Sequence, residues 1–174
     1  MWAVLKSDPI LDENVRKLLL SSSSEGIVLR IALETWQDNF GDWVSLDPAR
    51  EQDPRSVLAS IYFHAISIYL SGIFDYRHQF NHILSPSLPR EDMQRHVREI
   101  LEQTEVAMQS TNLGGILFFF PLRVAGARAR SAEQREAILA MLNGIDERSF
   151  VVARAFSEDL KGLWGRDDAL SRNP

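Results

Sequence analysis

The stretch Asp53-Pro-Arg-Ser-Val-Leu-Ala-Ser-Ile-Tyr-Phe-His-Ala-Ile-Ser-Ile-Tyr-Leu-Ser-Gly-Ile-Phe74 decides the fold. Asp53 sets a capping carboxylate before Pro54, and proline suits the first helical position because its missing N–H would have no partner there. From Val57 to Phe74 apolar residues fall on nearly every face of the helix that this cap starts. A helix apolar all round belongs at the centre of a bundle. The pattern carries it to about Leu84, where Ser85-Pro-Ser-Leu-Pro89 ends it.

Upstream, Asp8-Pro9 repeats the Asp-Pro start and opens a first helix to about Leu20, with Ile10, Leu11, Val15, Leu18 and Leu19 as its apolar residues. Ser21 to Ser24 reads as a polar break. A second helix then runs to about Phe40 and turns Ile27, Val28, Ile31 and Trp36 inward, and Gly41 to Gln52 reads as a loop.

Downstream, Pro89 to Ser110 carries a narrow apolar stripe of Met93, Val97, Ile100, Leu101 and Met108. Leu113 to Ala129 reads as a helix broken or kinked near Pro121, whose ring would leave the Leu117 carbonyl for a ligand or a side chain. Ser131-Ala-Glu-Gln134 is a capping box that opens a helix from Ala132 to about Asn143. In the last helix, Ser149 to about Trp164, Val152, Phe156, Leu160 and Leu163 share one face. The expectation is a single all-α domain over residues 1–174: one globular multi-helix bundle of about seven helices, without a sheet, and with frayed ends at 1–7 and 166–174.

Composition agrees. With 45% hydrophobic and 25% charged residues, a chain of 174 residues buries roughly 70% of its unfolded surface and needs no covalent staple. It has no cysteine, which excludes disulfides, thiolate zinc sites, iron–sulfur clusters and a cysteine nucleophile, and points to a reducing compartment. Met1 to Leu5 is too short for a signal peptide. The longest uninterrupted apolar run, Ile116 to Leu122, falls short of the roughly 20 residues of a membrane span, so a soluble chain with no membrane partner is expected. The net charge is −5, and the only lysines are Lys6, Lys17 and Lys161. Duplex DNA demands several phosphate-neutralising cations, so no direct nucleic-acid binding is expected of this chain.

Four segments resemble the C-terminal regulatory domain of fungal binuclear-zinc-cluster transcription factors. Gly115-Ile-Leu-Phe-Phe-Phe-Pro-Leu-Arg-Val-Ala-Gly-Ala-Arg-Ala129 is similar to an apolar family helix with a Pro-Leu pair followed by Ala-Gly or Ala-Ser. Ser131-Ala-Glu-Gln-Arg-Glu-Ala-Ile-Leu-Ala-Met-Leu142 resembles the helix after it. Val151-Val-Ala-Arg-Ala-Phe156 with Leu160-Lys-Gly-Leu-Trp164 resembles the last, and Tyr62-Phe-His-Ala-Ile-Ser-Ile-Tyr-Leu70 the long central one. The resemblance spans Tyr62 to Trp164. It implies a nuclear domain that modulates transcription, contacts the transcription machinery, and senses a small-molecule effector or forms a homodimer. The six-cysteine DNA-binding cluster of that family has no counterpart here, so base recognition does not carry over. The alternative is a stand-alone relative that binds or transforms a small molecule.

Within the central helix Ser60, His64, Ser67 and Ser71 share one face, a polar ribbon inside an apolar element. Such a ribbon either hydrogen-bonds to neighbouring helices or lines an apolar pocket. A ligand site would use these four with Phe119, one of three consecutive phenylalanines of which core packing is the ordinary role. Asp75, His78 and His82 sit at i, i+3 and i+7 on one face of the same expected helix, where two histidines four apart can chelate a metal and a carboxylate can complete the set. Gln79 stands where a metalloprotease helix needs glutamate, so a solvated face is the favoured reading and neither metal nor cofactor is expected. Arg123, Arg128 and Arg130 read as a solvated face or as partners of Glu133 and Glu136. Gly114-Gly115 lacks the Lys-Ser/Thr of a phosphate loop, and neither Gly-x-Ser-x-Gly nor His-Glu-x-x-His occurs, so the reading leans away from an enzyme.

Overall fold

The computed structural model describes residues 13–110, 113–148 and 150–172. Among these are seven α-helices and no strand: α1 (Glu13–Ser45), α2 (Pro48–Glu51), α3 (Pro54–Asp75), α4 (Arg90–Ser110), α5 (Phe119–Gly126), α6 (Ala132–Glu147) and α7 (Val152–Arg172). Two 3₁₀ turns, His78–Phe80 and Gly115–Phe118, join them. The Asp8-Pro9 start, the contacts of Ile10 and Leu11, and the frayed end expected at 1–7 lie outside the described residues.

The central helix is central. α3 packs most extensively on α4 and also against α1, α2 and α5. Asp53 caps it, accepting from the Arg55 amide at 3.1 Å. It is long and apolar enough to cross a membrane, but Ile61 and Ala65 are wholly covered by the other helices, as suits a core element. It is shorter than the pattern suggested, because Tyr76 ends it and the chain turns away before His78.

Around α3 the main core joins Val97 and Ile100 of α4, Phe118 and Leu122 beside and within α5, Ile138, Leu142 and Ile145 of α6, and Leu160 and Trp164 of α7. A second cluster, Leu19, Leu70, Phe74 and Phe80, fastens α1 to the far end of α3. The Ser131 box is formed: its hydroxyl accepts from the Gln134 amide at 3.2 Å, and the Gln134 side chain accepts from the Ser131 amide at 3.3 Å.

The serine run 21–24 does not break the chain. α1 is one helix of 33 residues. Serine is only mildly unfavourable in a helix, and here Ser23 is buried with its hydroxyl donating to the Leu84 carbonyl. One continuous helix also fixes which residues face the bundle. The buried positions are Leu19, Ser23, Gly26 and Arg30, whereas Val28 (62% exposed), Ile31 (57%) and Trp36 (40%), expected inward, face outward. Gly26 explains the phase. A Cβ there would lie 2.5 Å from the Phe74 ring and 2.9 Å from Pro86, so α1 approaches α3 along its smallest residue.

Three further boundaries differ from the sequence pattern. The expected loop 41–52 contains the end of α1 and the short α2, capped by Asp47, which accepts from the Ala49 amide at 3.0 Å. Pro121 lies in the first turn of α5, where its missing N–H costs no bond, so it marks a helix start and kinks nothing. The expected frayed tail from Arg166 continues α7 to Arg172, fastened by Arg135 of α6, which donates to both Asp168 carboxylate oxygens at 3.1 and 2.9 Å. On α7 the buried face is Ala153, Ser157, Leu160 and Trp164, while Val152 is 58% exposed.

Candidate functional site

The polar ribbon of α3 is divided among separate tasks. His64 Nδ1 lies 2.7 Å from His96 Nδ1 of α4. Two nitrogens at that distance hold one proton between them, so one imidazole donates and the other accepts. Burial lowers both from the ordinary histidine value. For His64, Glu99 opposes the shift and Arg95 adds to it. His96 is brought to about 4 by burial first, then by His64, Arg95 and Arg30, against Asp92. Phe63 presses edge-on against both rings, at 5.1 and 5.9 Å.

Further along, the Ser67 carbonyl receives Arg30 of α1 at 2.9 Å, and the Pro86 carbonyl receives the same guanidinium nitrogen at 3.0 Å. Arg30 is 9% exposed, and burial pulls its pKa down against the opposing pull of Glu34 and Asp75. Ser71 is fully buried; its hydroxyl accepts from the Leu88 amide and donates to Asp75, each at 2.9 Å. These three positions make hydrogen bonds between elements.

Ser60 stands apart. It lines an open cleft of about 360 Å³ between the end of α1, α2, the start of α3 and the end of α4. The other lining residues are Phe40, Val44, Glu51, Ser56, Val57, Glu102, Gln103 and Val106. A second hollow of about 380 Å³ adjoins it, lined by Gln37, Gly41, Ser45 and Pro48 together with the shared Phe40, Val44 and Glu51. Mostly apolar walls with a few polar groups are the ordinary make-up of a small-molecule site. Neither glutamate forms an ion pair among the described residues, and the Ser56 hydroxyl, on a residue 6% exposed, has no protein partner there. Gln103 donates its amide nitrogen to Glu99 at 3.0 Å; a carboxylate only accepts, so the Gln103 oxygen is the end left over, buried and without a partner. The Gln37 amide oxygen is likewise unpaired.

The structure therefore does not bring Ser60, His64, Ser67, Ser71 and Phe119 to one place. Phe119 lies in the main core, its ring stacked on Phe156 with centroids 5.0 Å apart. The carbonyl of Leu117, expected to receive a ligand or a side chain, receives the Tyr62 hydroxyl at 3.0 Å, and burial raises the pKa of that phenol. Asp75, His78 and His82 do not share a helix, because α3 stops at Asp75. Asp75 is held by Arg128 at 2.8 Å, both histidines are exposed, and no metal-holding group of three occurs among the described residues. Arg123 and Arg128 pair across the bundle with Asp159 and Asp75, not with Glu133 or Glu136.

Sequence reasoning passed over His96 and Arg30. His96 lies in phase with Met93, Val97 and Ile100, so the stripe itself marks it as buried. Arg30 follows Ser23 and Gly26 on one face, a row of small residues that lets a long side chain reach under the next helix.

Residues 8–173 match the fungal specific transcription factor domain. That match covers nearly the whole chain, and with the all-α architecture it places the molecule among transcription-factor regulatory domains. The chain belongs to the fungal specific transcription factor domain family. No match was found among curated proteins or solved structures.

Proposed function

We propose that this domain regulates transcription in the nucleus by reading a small, largely apolar effector in the cleft between α1, α2, α3 and α4. The observation that carries this reading is the cleft's lining: apolar walls around the hydroxyl of a largely buried serine and two exposed carboxylates, none of them paired among the described residues. An occupant would touch four helices at once. A ligand that contacts one arrangement of those helices better than another shifts the balance between them, which is what effector control requires. The His64–His96 pair does not line the cleft and is not the ligand contact.

The test fills the cleft. N-phenyl-1-naphthylamine, a neutral apolar fluorophore, should bind the wild-type chain saturably, and Val57→Trp should abolish that signal while circular dichroism stays helical. In the intact transcription factor the same substitution should fix reporter output at a level that no longer responds to growth conditions. Equal titrations for both proteins would overturn the reading.

A second reading, self-association, is favoured by the outward face of α1, where Val28, Leu29 and Ile31 are 57–62% exposed. Grouped apolar exposure of this kind often marks an interface. Sedimentation equilibrium should show a dimer that Val28→Glu with Ile31→Glu dissociates; a wild-type chain that stays monomeric at all concentrations removes this reading.

A further inference from the structure

We infer that the cleft selects a protonated amine carried on an apolar skeleton; this rests on the reading of the cleft as the effector site. Its ionisable lining side chains are Glu51 and Glu102, and among the described residues no lysine, arginine or histidine lines either hollow. The nearest bases in sequence are committed elsewhere or make no pair. Arg50 lies over the Trp43 ring at 4.5 Å and donates to the Trp43 carbonyl at 2.7 Å. Arg98, one turn before Glu102 on α4, forms no ion pair with it among the described residues.

The remaining polar groups of the lining also favour a donor. Ser56 is 6% exposed, lines the cleft and has no partner for its hydroxyl among the described residues. The Gln103 oxygen needs a donor because Glu99 takes the nitrogen. An ammonium group brings up to three N–H donors and a positive charge and accepts nothing, so it matches acceptors that the protein leaves open. A carboxylate or phosphate would meet like charge instead. Phe40 and Val57 supply the apolar wall for the rest of the molecule.

Three eight-carbon probes of one shape separate charge from shape: octylammonium, 1-octanol and octanoate, each titrated calorimetrically into the chain at low and high salt. Octylammonium should bind roughly three- to tenfold tighter than octanol, with octanoate weakest, and added salt should narrow the gap. Glu51→Gln with Glu102→Gln should erase the preference for the amine and leave octanol binding unchanged, with the melting temperature confirming that the variant is folded. Val57→Trp should abolish all three. Octanol and octylammonium binding equally, or octanoate binding best, would overturn the choice of an amine and leave the cleft as an effector site. Binding that survives Val57→Trp, or no binding by any probe, would overturn the cleft reading as well.

Discussion

His96 shows how one side chain ties pH to stability. Its pKa falls from 6.5 to about 4 on folding, so between those values the unfolded chain holds a proton that the folded chain refuses. The stability that the neutral ring contributes is complete above pH 6.5 and is lost as the pH falls toward 4, on the order of 2–3 kcal/mol. Urea midpoints measured across that range should decline toward acid, and His96→Gln should flatten the decline. A slope unchanged in the variant would assign the acid sensitivity to other groups. His64→Leu should destabilise by about 1–3 kcal/mol at neutral pH, because it leaves the His96 nitrogen buried without a partner. An unchanged thermal midpoint would show that the 2.7 Å contact contributes nothing. His64 stood out in the sequence as a polar residue in an apolar helix; its partner did not, because two residues 32 positions apart meet only once α3 and α4 are packed.

At the scale of elements, the sequence signals with a local cause were legible and those with a distant cause were not. The Asp53 cap and the Ser131 box rest on residues at most three positions apart, and both stand in the structure as read. Asp47-Pro48 carries the same signature and caps α2, so that short helix was within reach of the same argument. The serine run gave the opposite lesson. Ser21 to Ser24 looks like a break only if the Leu84 carbonyl, which receives the Ser23 hydroxyl, is left out of account. Backbone amides 21–24 should therefore exchange with deuterium as slowly as those of 26–33; rapid exchange confined to the serines would restore the two-helix reading. The polar end of α7 was also misleading, since the Arg135–Asp168 pairing that holds it comes from another helix.

For the whole molecule, the all-α class and the central place of α3 were readable because hydrophobic periodicity reports them directly. The cleft was not, because it is made of residues from four helices whose relative positions no period encodes; only Ser60 among its lining residues was singled out. Away from the cleft, how closely α5 and α7 approach is set by a glycine. A Cβ on Gly126 would come within 2.6 and 2.7 Å of the two Leu160 methyls, and Leu160 is fully buried. Gly126→Ala should thus cost about 1–3 kcal/mol as α5 and α7 are pushed apart. Phe156→Ala, which removes the ring stacked on Phe119, should cost about 2–4 kcal/mol, the ring being only half-buried. Chemical denaturation checks both, and a neutral Gly126→Ala would mean the two helices are looser than drawn.

Phe40, a wall of the cleft, lies with its ring 4.8 Å from Trp36 and 5.9 Å from Trp43. The two indoles thereby report on whatever nudges that phenyl group. Their emission should drift in colour or brightness as the hollow fills, while the indole of Trp164, sealed in the core and bonded to the Gly126 carbonyl, glows on unaltered as an internal standard. The domain carries its own optical gauge.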